Sequence, residues 1–104
     1  MITEQFIRYI ETEKRYSPLT VKAYRRDLEE FAAYLSMTYE LSDLLQVTTP
    51  MVKSFLVSLK DKGQSNKSID RKISSLRTFY KYCLREGLME VSPLIGVKSL
   101  KLPK

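Results

Sequence analysis

The sequence predicts an all-α protein, a compact bundle of four or five helices. Three observations carry this reading. Apolar residues recur at three- and four-residue spacings in four segments, and no segment shows the strict alternation of a half-buried strand. Ser or Thr stands directly before Pro at 17–18, 49–50 and 92–93, a pairing that opens helices. The three Gly and four Pro fall between or after the periodic segments rather than inside them.

The first helix is expected from about Thr3, its N-cap, to Lys14, with Ile2, Phe6, Tyr9 and Ile10 on one face. The second starts at Ser17-Pro18. Ser caps the free N–H groups, and Pro loses nothing at a position whose N–H has no helical partner. It runs to about Ser36 with Val21, Tyr24, Leu28, Phe31, Ala32 and Leu35 as its apolar stripe. Residues 37–47 are less periodic, and Leu41, Leu44, Leu45 and Val47 are expected to tuck a connection onto the core. The third helix runs from Thr49-Pro50 to Lys62 with Val52, Phe55, Leu56 and Leu59 inward and Gly63 as its stop. The fourth starts at Ser65 or Asn66 and ends before Gly87, with Ile69, Ile73, Leu76, Tyr80, Cys83 and Leu84 in one arc. Ser92-Pro93 opens a short turn to Val97. Residues 1–97 are thus expected to form one domain, and residues 98–104 to begin a linker.

Composition removes several classes of function. With 104 residues, 43% hydrophobic and 29% charged, the chain suits one globular domain with one modest core. No stretch approaches the roughly 20 apolar residues of a membrane span. The first residues lack the pattern of a secretory signal, so the expected location is cytoplasmic. The one cysteine, Cys83, reads as a core residue, and there is no His. Most zinc sites and Ser-His or Cys-His catalysis are therefore excluded, and no metal, cofactor or catalytic residue is expected. Tyr9, Tyr24 and Tyr80 fall on apolar stripes and read as packing; Tyr16, Tyr34, Tyr39 and Tyr82 sit at helix edges. Glu11, Glu13, Glu29 and Glu30 lie on polar faces without an apolar pocket to raise their pKa.

Charge points to a polyanion. The net charge is +6, and its distribution is uneven: residues 1–50 hold 6 basic against 8 acidic groups, residues 51–104 hold 12 against 4. Opposite the apolar arc of the fourth helix lie Lys67, Arg71, Ser74, Ser75, Thr78 and Arg85, with no acid; Asp70 lies on the flank beside Arg77 and Lys81. Cations and short hydroxyl side chains without carboxylates suit phosphates and base edges. The second helix opens similarly, with Lys22, Ala23 and Arg26 outward, flanked by Thr20 and Arg25, and its acids Asp27, Glu29 and Glu30 come later. Two such faces suggest a platform for the major groove of double-stranded DNA. The alternative is a helical protein–protein interaction module.

Two stretches then resemble a known family. Ser17 to Phe31 is similar to the S-x-x-T-x-x-x-Y-x-x-D-L-x-x-F signature of Xer-type tyrosine recombinases of the phage integrase family. Ser65 to Tyr82 resembles that family's S-x-x-S-I-x-R-K-L-S-x-L-R-x-F-Y segment. The resemblance implies a SAM-like core-binding domain whose second and fourth helices enter the major groove. By position it implies DNA contacts from Thr20, Lys22, Arg25 and Arg26 on one helix, and from Lys67, Ser68, Arg71, Lys72 and Ser75 on the other. It further implies that DNA cleavage through a phosphotyrosine link, without metal or nucleotide cofactor, belongs to a following catalytic domain. Neighbouring protomers would touch through this domain on DNA, with Ile7 and Arg8 as candidate contacts, and the isolated domain is expected to be mainly monomeric.

Overall fold

The computed structural model describes residues 2–97. It is all-helical: α1 (Ile2–Thr12), α2 (Pro18–Tyr39), a single 3-10 turn (Leu44–Gln46), α3 (Thr49–Asp61) and α4 (Asn66–Arg85). The expected linker, residues 98–104, lies outside the described residues.

Local chemistry sets most helix starts. Ser17 accepts a hydrogen bond from the Thr20 N–H at 3.3 Å, with Pro18 in the first turn, and Ser65 caps α4 by accepting from the Ser68 N–H at 3.1 Å. Gly63, at φ +84°, closes the turn after α3 as expected. Other boundaries differ from the sequence reading. Thr3 lies inside α1 rather than capping it, and α1 ends at Thr12. The cap residue of α3 is Thr48; the Thr49 hydroxyl instead donates to the Pro93 carbonyl at 2.9 Å, tying the C-terminal turn to α3. Helix α2 runs past Ser36 to Tyr39 and ends at Glu40 in the left-handed region at φ +52°, whose N–H bonds the Leu35 and Ser36 carbonyls.

Packing makes one core from all four helices and the C-terminal turn, where Leu94 and Val97 are buried. Phe6 of α1 is its aromatic hub, edge-on to Tyr24 of α2 and to Phe79 and Tyr82 of α4 at centroid distances of 5.9, 5.3 and 5.5 Å. Helix α1 is thus clasped by both α2 and α4. As a result Ile7, read from sequence as a surface position, is buried at 1% exposure. Phe79, outside the expected arc of α4, is buried too, whereas Leu84 at the helix end is exposed. Polar bonds fix the ends of α1. Arg25 forms a bidentate ion pair with Glu4, and Arg85 donates to the Tyr9 hydroxyl at 2.7 Å while stacking over its ring.

Tyr80 is fully buried, and its hydroxyl donates to the Leu44 carbonyl at 2.7 Å, holding the 3-10 turn against α4. Burial pushes the phenol well above its ordinary range. Tyr80→Phe leaves that carbonyl without its partner and is expected to lower unfolding free energy by about 1–3 kcal/mol in denaturant titration. An unchanged midpoint would show that the bond contributes nothing net.

Candidate nucleic-acid interface

The two helices singled out by charge pack against each other. Leu19, Thr20, Ala23 and Tyr24 of α2 face Arg71, Ser74 and Ser75 of α4 across a cleft of about 330 Å³. The small residues Ala23, Ser74 and Ser75 let the helices approach, which makes one continuous surface of their outer faces.

Beneath the cleft lies a polar cluster absent from the sequence reading. Asp27 is 2% exposed. Its Oδ2 accepts from Arg71 Nη1 at 2.7 Å and from the Ser75 hydroxyl at 2.7 Å. A buried carboxylate is tolerable only when paired and hydrogen-bonded; here one guanidinium and one hydroxyl satisfy Oδ2, while the buried Oδ1 has no hydrogen-bond partner among the described residues. Arg71 itself stays half exposed, at 50% of its side chain. It therefore joins the buried carboxylate to the surface of the cleft.

The nine positions expected to touch DNA separate into two groups. Thr20, Lys22, Arg26 and Lys67 are exposed, Ser68 is half-buried, and Arg71 lines the cleft. Among the described residues Lys22, Arg26 and Lys67 make no ion pair, so their charges face solvent. The other three are engaged by other elements of the fold, and of these only Ser75 departs from an outer-face expectation. Ser75 is 6% exposed, because α2 crosses over this part of α4 and turns its outer face into an interhelical one. Lys72 is also buried, its Nζ on Glu30 at 2.6 Å and on the Gln64 side-chain oxygen at 2.7 Å, so it ties α4 to α2 and to the preceding loop. Arg25 is held by Glu4 of α1, a pairing that lowers the pKa of Glu4 and raises that of Arg25 through their mutual hydrogen bonds. Sequence did carry one signal for Asp27: it falls three residues after Tyr24 and four before Phe31, on the inward side of α2.

The basic face continues beyond the cleft. Lys14, Lys81 and Arg85 gather with Tyr9, Tyr16, Thr78 and Tyr82 around a second depression of about 460 Å³. No group on either surface is built as a nucleophile. Burial pushes the Cys83 thiol up to about 11, keeping it protonated at neutral pH inside the core. Among the described residues no cluster of three or more Cys, Asp or Glu converges as a metal site, and no helix is long and apolar enough to cross a membrane. The arrangement can bind and orient an anionic partner.

Comparison with known proteins agrees in kind. Residues 3–87 match the phage integrase N-terminal SAM-like domain. The chain is 45% identical to a tyrosine recombinase XerC of Oceanobacillus iheyensis, over 97% of this chain and 32% of that protein. It is 41% identical to a XerC of Anoxybacillus flavithermus, over 94% of this chain and 34% of that one. It is 34% identical to a tyrosine recombinase XerD of Listeria monocytogenes, over 99% of this chain and 36% of that one. The chain thus spans about a third of the length of the curated relatives it matches. No solved structure matches it.

Proposed function

Because this chain belongs to the phage integrase N-terminal SAM-like domain family, we propose that it binds duplex DNA in a sequence-directed way, as the core-binding domain of a site-specific tyrosine recombinase. The observation that carries the reading is the α2–α4 surface, where unpaired cations flank a cleft into which Arg71 projects. Lys22, Arg26 and Lys67 grip phosphates and set register. The Thr20 and Ser68 hydroxyls, in the first turns of α2 and α4, add contacts where helix N-termini already favour an anion. Arg71 reads a base edge, for which a guanidinium fork matches guanine O6 and N7. Lys72 and Ser75 act from inside the fold, holding α2 and α4 at the spacing this surface needs, and Arg25 ties α2 to Glu4 of α1.

In this reading residues 1–97 are the binding domain and 98–104 begin the linker to a catalytic domain. Breaking and rejoining of strands belongs to that domain, and the other partners are protomers assembled on the same DNA in the cytoplasm. Duplex binding followed by fluorescence anisotropy across a salt series tests the proposal. Log affinity is expected to fall linearly with log salt, with a slope of about 0.9 per phosphate contact. Arg71→Ala is expected to weaken binding by about 1–3 kcal/mol, and a parallel melt separates that loss from the destabilisation of an unpaired Asp27. Absence of binding at low salt, in a chain shown to be folded, would refute the assignment.

A further inference from the structure

Arg71 occupies an unusual position for a DNA-contacting residue, since one of its nitrogens is already bonded to a carboxylate on the other helix. The pair spans 44 residues of sequence. Its acid is buried and cannot turn away, because Ser75 holds the same oxygen. A phosphate clamp gains nothing from this, as the neighbouring carboxylate cancels the charge that a phosphate seeks. A base reader gains a great deal. Guanine recognition needs a guanidinium at a fixed angle, and the bond to Asp27 uses Nη1 of a five-donor fork on a residue that lines the cleft. Ordering the side chain before binding also removes an entropy loss otherwise met on the DNA.

We propose that Asp27 is a positioning residue for recognition: it locks Arg71 so that the guanidinium reads a base edge instead of pairing with the backbone, and so trades general affinity for sequence preference. This rests on the reading of the α2–α4 surface as the DNA-binding face.

The test takes the 104-residue chain as wild type, Asp27→Asn and Arg71→Lys. Each is put through selection from a randomised duplex pool and titrated with a random-sequence duplex over a salt series. Asn keeps the shape and an oxygen for Ser75 but gives up the charge that holds the fork. Wild type is expected to enrich guanine at one position. Asp27→Asn is expected to lose roughly tenfold of that preference, the size of one bidentate base contact. It is also expected to bind the random duplex more tightly, with a salt slope steeper by about 0.9, as the freed Arg71 takes up a phosphate. Arg71→Lys is expected to lose preference at the same position. Full preference in a folded Asp27→Asn overturns the proposal and leaves Asp27 a purely structural group. Should Asp27→Asn not fold, NMR of the free wild-type chain decides: guanidinium signals of Arg71 showing slow rotation, unlike those of Arg26, support the lock, and equal mobility of the two overturns it. Failure of the wild type to bind any duplex overturns the DNA-binding reading itself, an outcome distinct from binding with Asp27 irrelevant.

Discussion

Ile7→Asp is expected to unfold the domain. Ile7 is 1% exposed, between Phe6 and the next turn of α1, which is itself fully buried at Ile10. An ionised carboxylate there must either lose its hydration or take up a proton. Either course, with the isoleucine packing also lost, costs upwards of about 4 kcal/mol. Small domains hold only about 5–15 kcal/mol in total, so thermal melting followed by circular dichroism should show loss of most helix at temperatures where the wild type is folded. Arg8→Asp, one residue along on the exposed face of α1, is expected to shift stability by no more than about 0.5 kcal/mol. A folded Ile7→Asp melting near the wild type would contradict the clasp of α1 between α2 and α4. The same comparison revises the view of α1 as a protomer contact: only Arg8 of the two candidates is available to a neighbour.

Ile7 also shows where sequence reasoning stops. A single apolar stripe describes a helix lying on one neighbour. Helix α1 has two, as the rings of Tyr24 and Phe79 on either side of Phe6 show, so its buried face is wider than the stripe and takes in a position 100° from Phe6. Phe79 in α4 escaped the expected arc for the same reason. Caps fared better where the chemistry is confined to one turn: Ser17 and Ser65 bond N–H groups three residues ahead. The end of α2 was illegible, because no Gly or Pro marks it and a glutamate adopts the left-handed conformation there. Thr49 looked like a cap, but its hydroxyl is committed to a carbonyl 44 residues away, a partner no local pattern can reveal.

The candidate site divides along the same line. Lys22, Arg26 and Lys67 were legible because no other element covers the outer face that helical period gives them. Asp27, Ser75 and Lys72 were not, since each is defined by what another element brings to it. The absence of acid from the outer face of α4 holds for α4's own sequence; the acid arrives from α2 and lies under Arg71 rather than beside it on the surface. A linear reading therefore counts Arg71 as a free charge, whereas the fold makes it one half of a pair. On the proposed reading, its contribution to DNA binding depends on geometry more than on charge.

That distinction sets the expected result for the charges that are free. Lys22→Gln, Arg26→Gln and Lys67→Gln combined are expected to abolish most binding at moderate salt while leaving base preference intact. All three side chains are exposed and join no ion pair among the described residues, so the variant should melt close to the wild type. If each neutralises one phosphate, the slope of log affinity against log salt becomes shallower by about 2.7, and affinity at about 0.1 M salt drops roughly 500-fold. Phosphate contacts carry no sequence information, so the duplexes the weakened protein still selects should be those the wild type selects. Arg71→Lys is expected to do the reverse, lowering preference with little change in slope. A triple variant whose slope is unchanged would place the DNA on another surface, and one that loses base preference would mean that the flanking cations, and not the Asp27–Arg71 pair, read the sequence.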